Sequence, residues 1–346
     1  MCTPPSIIPR RPPTWSPPSI PTGRPTVRST RSRPSRCVRL TEAVAPAVPD
    51  ALTSADPAGR PRAGVVHERV HIGSGDTERT ASWGIIDEAP IQILLDGQPL
   101  VVLMATPMDL ADLARGVLRT EFGVLDAEAI ASISVHQLLG EYRVEVQRHP
   151  HARSAQRPTS QSGMANSGCG LCGMESLAQL ATRTQALPRV HPPAIADATV
   201  LAAFALMHER QPLNALTHSA HAAAWCLPSG EVVLVREDVG RHNALDKLIG
   251  ALYASDADRE MARDGFVVMS SRGSYELVHK AAHTTARLLA TWSAPTSMAL
   301  GWSRHLGLPL CCVARDGKSA PQLAHFAERP DTTSPSSAPE THHAHP

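Results

Sequence analysis

Two cysteines separated by two residues stand in a run of very small side chains. Cys169 and Cys172 lie in the segment Asn-Ser-Gly-Cys-Gly-Leu-Cys-Gly at 166–173, and a glycine follows each of them. Glycine lets the backbone adopt positive φ and approach a ligand closely. Residues 174–180 have a helical composition, so Cys172 is predicted at or just before a helix N-terminus, where the helix dipole lowers the pKa of a thiol. A thiolate on a flexible loop is suited to sulfur chemistry.

Three kinds of chemistry compete for this cysteine pair. Zinc needs four ligands, and the remaining candidates are scattered: Cys226, the adjacent Cys311 and Cys312, and the histidines His218 and His221. No metal site is therefore predicted. A C-x-x-C pair also supports disulfide exchange, although the βαβ start that usually accompanies a redox motif is missing. In a persulfide carrier, one thiolate accepts sulfane sulfur and its neighbour releases it by forming a disulfide.

Composition narrows the class of protein. The chain has 346 residues, which is enough for two domains. Its formal net charge of +1 does not indicate a highly charged binding partner. Its seven cysteines form no evenly spaced framework, which favours a reducing compartment. No apolar run reaches the roughly 18 residues of a membrane span, and no apolar stretch follows Arg10-Arg11 as an export signal requires. The sequence predicts a cytoplasmic protein without a membrane segment.

Both ends of the chain and the segment around the cysteines have the composition of disordered regions. Residues 1–65 are rich in Pro, Arg, Ser and Thr, and residues 327–346 are similar. Such segments bury too little apolar surface to offset the entropy of ordering. The basic N-terminal tail could bind nucleic acid, but it lacks a folded context, so no nucleic-acid partner is predicted. Residues 151–180 are predicted to be a flexible loop that carries the C-x-x-C pair.

Two folded parts are predicted between the tails. Residues 83–150 read as a small α+β subdomain, with a hairpin at 91–104 turning at Asp96-Gly97, a helix from about 110, and a second hairpin at 133–146. Residues 195–325 alternate helix and strand, which favours an α/β core with a largely parallel sheet covered on both faces. The expected core elements are helices at 196–209, 244–253 and 275–292 and strands at 222–226, 232–235, 266–270 and 308–313.

Polar residues follow three of the predicted core strands. They include Arg241 and His242 in the segment 236–243, Ser271 and Arg272 in the segment 271–274, and the charged run 315–318. Because ligands of such sheets bind beyond the carboxyl ends of the strands, these segments predict an anion pocket near helix N-termini. None of them is a Walker loop or a dinucleotide fingerprint. A phosphorylated ligand is expected here.

These motifs together resemble the formate dehydrogenase accessory sulfurtransferases, the FdhD/NarQ family. The resemblance spans about 83–320 and is strongest in Cys-Gly-Leu-Cys-Gly at 169–173 and in Arg-Glu-Asp-Val-Gly-Arg-His-Asn-Ala-Leu-Asp-Lys-Leu-Ile-Gly at 236–250. Segments 271–280 and 293–297 add to it. The stretch 236–250 is long and unusual enough to be specific by itself.

The resemblance implies a fold, a reaction and partners. The fold would be a cytidine-deaminase-like three-layer α/β/α core that forms a homodimer. Cys169 would accept sulfur as a persulfide from a cysteine desulfurase, with Cys172 assisting. The sulfur would pass to the molybdenum (or tungsten) of bis-molybdopterin guanine dinucleotide, bound as substrate and then delivered to formate dehydrogenase. Arg241, His242, Ser271 and Arg272 would suit its phosphates, and the family's cofactor segment corresponds to Val313, Ala314, Arg315, Asp316, Gly317 and Lys318.

The sequence also departs from the family pattern. Thr217-His218-Ser219-Ala220 stands where the family usually has Thr-Gly-Gly before His-Ala-Ala, Ser270-Ser271-Arg272 replaces Ser-Gly-Arg, and the usual Asn-x-Tyr run after Lys318 is missing. Two alternative functions stay open at this stage. One is a carrier that binds and delivers the cofactor without transferring sulfur. The other is a zinc deaminase, although the H-x-E and P-C-x-x-C signatures are missing.

Overall fold

The structure is a computed structural model, and it describes residues 64–73, 78–123, 129–150, 152, 195–255, 258, 260, 262–315 and 320–326. Twelve strands and six helices lie in these residues. Cys169, Cys172 and the segment 316–318 lie outside them, as do residues 1–63 and 327–346. The predictions made for those parts of the chain stay predictions.

A two-stranded ribbon precedes the predicted subdomain. Strands β1 (Val65–Ile72) and β2 (Arg79–Ile86) pair antiparallel, with Val65 opposite Ile86. Regular structure is therefore present before residue 83, from which the sequence predicted it. A Cβ on Gly84 would lie 2.8 Å from the backbone oxygen of Leu216, so the ribbon packs closely against the start of the core. The ribbon was not predicted from the sequence, because charged and polar side chains interrupt the apolar pattern of both strands.

The small subdomain contains both predicted hairpins and the predicted helix. Its sheet has the order β4-β3-β6-β5, and its elements are β3 (Ala89–Leu95), β4 (Gln98–Ala105), α1 (Leu110–Phe122), β5 (Ile130–Gln137) and β6 (Tyr142–Arg148). Asp96 and Gly97 both have positive φ, 50° and 78°, as a two-residue hairpin turn requires. Helix α1 buries Leu113, Val117 and neighbouring apolar residues against this sheet.

The core contains five helices and six strands among the described residues. They are α2 (Asp197–Glu209), α3 (Pro212–Thr217), β7 (His221–Cys226), β8 (Val232–Asp238), α4 (Arg241–Leu252), β9 (Phe266–Arg272), α5 (Tyr275–Ala281), β10 (Leu289–Ser293), α6 (Ser297–Leu306), β11 (Leu310–Ala314) and β12 (Gln322–His325). The six strands form one sheet in the order β12-β11-β10-β9-β7-β8.

The core sheet is mixed, so the expectation of a largely parallel sheet was wrong. Strand β10 is parallel to β9 and β11, whereas β7 is antiparallel to β8 and β9, and β12 is antiparallel to β11. Because β7 opposes both of its neighbours, β8 still runs in the same direction as β9, β10 and β11. The carboxyl ends of these four strands therefore meet at one edge, which is what the anion-pocket prediction needs.

Helices cover both faces of the core sheet. On one face, α4, α5 and α6 bury an apolar cluster with Trp225, Val267 and Leu289. On the other face, α2 packs Phe204 and Met207 against a second cluster. The core thus has three layers, α/β/α. The more specific cytidine-deaminase-like assignment stays a prediction.

The long helix expected at 275–292 was wrong. Helix α5 ends at Ala281, and residues 289–293 form the central strand β10 between β9 and β11. The hydroxyl of Thr284 donates to the carbonyl of Ala281 and accepts from the N–H of Ala286, which ends the helix in a turn. A central strand buried on both faces lacks alternating polarity, so its apolar residues were read as a helical face.

Two glycines allow the subdomain helix α1 to touch the core helix α4. A Cβ on Gly116 would lie 1.8 Å from the backbone oxygen of Asp246, and one on Gly250 would lie 1.8 Å from that of Asp112. No side chain larger than hydrogen fits at either position without moving the helices apart. We call this contact between α1 and α4 the helix junction.

Candidate functional site

The segment 236–243, predicted to follow a strand as a loop, instead completes that strand and begins the helix that was predicted from residue 244. Arg236, Glu237 and Asp238 complete β8, and Arg241 already begins α4. Only Val239 and Gly240 connect the two elements. Such a short connection places the first turn of α4 directly at the carboxyl edge of the sheet.

The buried carboxylate of Asp238 organises this connection. Its oxygens accept hydrogen bonds from the N–H groups of Gly240 (2.7 Å) and Thr106 (3.0 Å) and from the amide of Asn243 (3.0 Å). The Nζ atom of Lys247 lies 2.7 Å from its Oδ2 atom, and both side chains are completely buried. Since every partner belongs to the protein, these residues hold the structure together and are not available to a ligand.

A second buried charge cluster lies beside the helix junction. The Nζ atom of Lys280 is 2.8 Å from Asp246 Oδ2 and 2.6 Å from Glu121 Oε1. Burial alone would lower the pKa of Lys280, but the two carboxylates raise it overall. Burial raises the pKa of Asp246, and the ammonium of Lys280 opposes that rise. These short distances support a charged cluster that links α1 to α4 and α5.

The first turn of α4 presents two predicted site residues, Arg241 and His242. The Nε2 atom of His242 lies 3.5 Å from the hydroxyl of Ser274 and 3.7 Å from the carboxylate of Glu276. Burial would raise the pKa of Glu276, but hydrogen bonds, first among them that of His242, lower it overall. The segments that follow β8 and β9 therefore meet at His242.

Arg241 and His242 also affect the pKa of His221, the first residue of β7. His221 pairs with Asp238 of the neighbouring strand β8. Burial, followed by the charges of Arg241 and His242, lowers the pKa of His221. The Nε atom of Arg241 is buried and has no hydrogen-bond partner among the described residues. Arg241, His242 and His221 therefore lie close to one another at the carboxyl edge of the sheet.

Ser271 and Arg272 lie at the carboxyl end of β9, as predicted. The hydroxyl of Ser271 is buried and donates to the carbonyl of Arg272 at 3.2 Å. Arg272 is exposed and pairs with Ser293 of β10. Of these two predicted residues, Arg272 therefore presents its side chain to solvent.

The described part of the predicted cofactor segment lies at the end of β11. Val313 is buried in the apolar cluster beneath α2, so its side chain cannot reach a ligand at the edge. Ala314 is exposed and pairs with Gln322 of β12. Arg315 is exposed, and its guanidinium carbon lies 3.9 Å from the ring centroid of Trp292.

Some of the described arginines form ion pairs, and others, including the three at this edge, do not. Within the described residues, Arg241, Arg272 and Arg315 form no ion pair. By contrast, ion pairs with Asp or Glu are formed by Arg115, Arg148, Arg236, Arg263 and Arg287. Unneutralised guanidinium groups at the ends of three codirectional strands attract an anion. We call Arg241, Arg272 and Arg315 the basic edge.

The three cysteines that the structure describes are unsuited to carry sulfur. Cys226, Cys311 and Cys312 are buried. Burial raises the pKa of Cys226 to about 12 and that of Cys311 to about 12, and it also raises the pKa of Cys312. Because the thiolate is the nucleophile, such thiols are unreactive at neutral pH.

Neither a metal-ligating cluster nor a helix able to cross a membrane is present among the described residues. In these parts of the chain no group of three or more His, Cys, Asp or Glu side chains is placed to hold a metal ion. None of the described helices has the length and hydrophobicity that a membrane crossing needs.

Sequence reasoning missed several residues that the fold brings to this edge. Ser274 and Glu276 were not singled out as partners of His242, and Trp292 was assigned to a helix. The segment 271–280 did signal Ser274 and Glu276, because it was part of the family resemblance. The contact of Trp292 with Arg315 had no such signal, since the two residues meet only through the pairing of β10 with β11.

Comparisons with known proteins show which family the chain resembles. A profile of the FdhD/NarQ family matches residues 86–322. A protein of Xanthomonas euvesicatoria pv. vesicatoria named sulfur carrier protein FdhD is 40% identical over 257 residues, which are 74% of this chain and 89% of that protein. A protein of the same name from Chromobacterium violaceum is 41% identical over 232 residues, 67% of this chain and 85% of the relative.

A solved structure shares the fold. It is described as a formate dehydrogenase accessory protein from Desulfotalea psychrophila and matches with a TM-score of 0.57. The match covers 76% of this chain and 96% of that one at 18% identity. At this identity it shows a shared fold and nothing about function. The family profile and the two relatives together show that the chain belongs to the FdhD/NarQ family.

Proposed function

We propose that this protein is a sulfur carrier that receives sulfur as a persulfide on Cys169. A cysteine desulfurase supplies the sulfur, and the molybdenum centre of bis-molybdopterin guanine dinucleotide receives it as substrate before delivery to formate dehydrogenase. The protein acts as a sulfurtransferase in the cytoplasm, as a homodimer with a cytidine-deaminase-like core. The names of the relatives support the role of sulfur carrier.

The single observation that carries the cofactor part of the proposal is the basic edge. Arg272 ends β9, Arg241 and Arg315 follow β8 and β11, and none of the three has a carboxylate partner among the described residues. A dinucleotide cofactor carries several phosphates, and guanidinium groups bind phosphate through two parallel hydrogen bonds. Asp316, Gly317 and Lys318 follow directly in the chain and extend this proposed binding segment.

The choice of sulfur-carrying residue follows by comparison of the cysteines. Cys226 and Cys311 have strongly raised pKa values, whereas Cys169 and Cys172 stand in the C-x-x-C spacing. The Cys169 thiolate takes the terminal sulfur from the donor persulfide, and the donor leaves as a thiolate. Cys172 then attacks the Sγ atom of Cys169, so that an internal disulfide forms and sulfide departs with its bonding pair to the metal. A dithiol reductant restores the two thiols.

Mass spectrometry of the protein after incubation with a cysteine desulfurase and cysteine tests the transfer step. One added sulfur is expected on Cys169 in the wild type, and Cys169→Ala is expected to lose both this adduct and the ability to support formate dehydrogenase. Cys37→Ala is the matched control, because Cys37 lies outside the family match, and it should retain both. An unmodified Cys169, or full activity of Cys169→Ala, would favour cofactor carriage without sulfur transfer.

Cofactor binding is tested separately by charge removal. Arg241→Gln and Arg272→Gln are each expected to weaken binding of the cofactor to the purified protein. Arg263→Gln serves as the control, since Arg263 is exposed and paired with Glu260 away from the edge. Equal affinities for all three variants and the wild type would remove the basic edge from the proposal.

A further inference from the structure

Arg315 is held by an aromatic side chain that the proposed function does not use. Its guanidinium carbon lies over the Trp292 ring, 3.9 Å from the centroid. Trp292 in turn packs against Phe204 of α2, with ring centroids 5.4 Å apart, and Phe204 is buried. A chain of contacts therefore runs from the interior of the core through Trp292 to the exposed cation.

A second arginine, Arg119, is also stacked on an aromatic ring, and there the contact serves only to hold the structure together. The guanidinium of Arg119 lies 3.6 Å from the ring centroid of Tyr253, and its Nε donates to the carbonyl of His283 at 3.0 Å. That stack links α1 to the core. Arg315 is exposed, and no hydrogen bond or ion pair joins its guanidinium to another described residue.

We propose that Trp292 is a positioning residue that orients the guanidinium of Arg315 toward a phosphate or pyrophosphate group of the bound ligand. The five N–H donors of arginine lie in the guanidinium plane, so stacking one face on the indole leaves all of them free to bind an anion. A side chain already held in place loses less freedom on binding. This inference rests on the proposed function, because it takes the phosphates of the cofactor as the ligand class.

The experiment uses guanosine diphosphate as the probe and isothermal titration calorimetry of the full chain at two ionic strengths. Trp292→Leu is expected to bind about three- to tenfold more weakly, the cost of ordering one long side chain, with the same dependence on ionic strength. Trp292→Phe keeps an aromatic face and should stay within about twofold of the wild type. Arg315→Gln should weaken binding and also reduce the dependence on ionic strength.

A double-mutant cycle separates positioning from a general effect. If Trp292 acts through Arg315, the variant with both Trp292→Leu and Arg315→Gln binds no more weakly than Arg315→Gln alone. Trp83→Leu is the matched control, because Trp83 is 40% exposed and Trp292 is 39% exposed, and no described arginine is stacked on Trp83. It should bind as the wild type does. Wild-type affinity of Trp292→Leu, additive losses, or no binding of guanosine diphosphate by the wild type would overturn the proposal.

Sulfur uptake on Cys169, measured on the same Trp292→Leu protein, keeps this test apart from that of the proposed function. The variant should still acquire the persulfide, because Trp292 acts on the cofactor side only. Normal uptake with unchanged nucleotide affinity would overturn the role of Trp292 and leave the sulfur carrier intact. A wild-type protein without a persulfide would overturn the sulfur carrier, while the binding cycle would still decide the role of Trp292.

Discussion

The stretch 236–250 contributes to two regions that treat charge in opposite ways. At the helix junction and beneath it, Lys247 and Lys280 lie within 2.8 Å of carboxylate oxygens and are almost completely buried. At the basic edge, Arg241 begins the same helix, yet it has no ion-pair partner among the described residues. One helix thus carries a neutralised interior and an unneutralised end. The buried charges maintain the fold, whereas the arginines of the basic edge have no such pairing among the described residues and are the ones to which the proposed function assigns a ligand.

Among the variants considered, Lys280→Ala is expected to lower the free energy of unfolding the most. It leaves the carboxylates of Asp246 and Glu121 without their cation, and removal of one partner from a buried ion pair typically costs about 3–5 kcal/mol. Arg272→Ala at the basic edge should change the free energy of unfolding by less than about 0.5 kcal/mol. Denaturant unfolding measures both variants. A comparable loss in both would mean that the edge arginine is structural too.

Gly250→Ala should produce the next largest effect. The new Cβ would meet the backbone oxygen of Asp112 at 1.8 Å, so α1 and α4 must separate, with a loss of about 1–3 kcal/mol or more. Gly301→Ala is the matched control, since Gly301 lies in α6 and a Cβ there meets nothing within 4 Å. In the open position alanine should stabilise the helix by about 0.5–1 kcal/mol. The same sign for both variants in chemical denaturation would refute the close contact.

Stability should fall as the pH drops below 6.5. Burial is the largest cause that lowers the pKa of His221 and of His283 from the ordinary value of 6.5. Below that value the unfolded chain binds protons at these sites before the folded chain does. The stability is therefore complete above pH 6.5 and declines toward the lower folded-state pKa values, by at most about 1.4 kcal/mol per pH unit for each histidine. His221→Asn should reduce this slope in urea titrations, and an unchanged slope would contradict the assignment.

The smallest effect is expected at His218, next to the changed family segment. His218 has φ of 53°, a conformation that glycine adopts without strain, and the family usually has glycine near this point. His218→Gly should raise the free energy of unfolding by about 0.5–1 kcal/mol. Ser219→Gly is the control, because Ser219 is not among the residues with positive φ, and it should not stabilise the protein. Differential scanning calorimetry can compare both variants with the wild type.

Local sequence patterns were sufficient to predict the elements that have a regular spacing of apolar residues or a clear turn signal. Both hairpins of the subdomain and helix α1 were predicted from the alternating apolar residues of β3 and β6, the helical spacing of α1 and the Asp96-Gly97 turn. Strand β10 was misread for the opposite reason, since it is buried on both faces. The mixed direction of the sheet was also missed, because strand direction depends on partners that are distant in the chain.

For the candidate site, too, the sequence accounts for some features and the tertiary structure for others. The sequence by itself determined the chemistry: a C-x-x-C pair, arginines after three strands, and a family resemblance over nearly all of the ordered chain. Tertiary structure alone decided which charges are neutralised, because ion pairs such as Lys280 with Glu121 join residues 159 positions apart. It also decided that Trp292 meets Arg315. Such contacts depend on strand order and helix packing, which no local spacing of residues records.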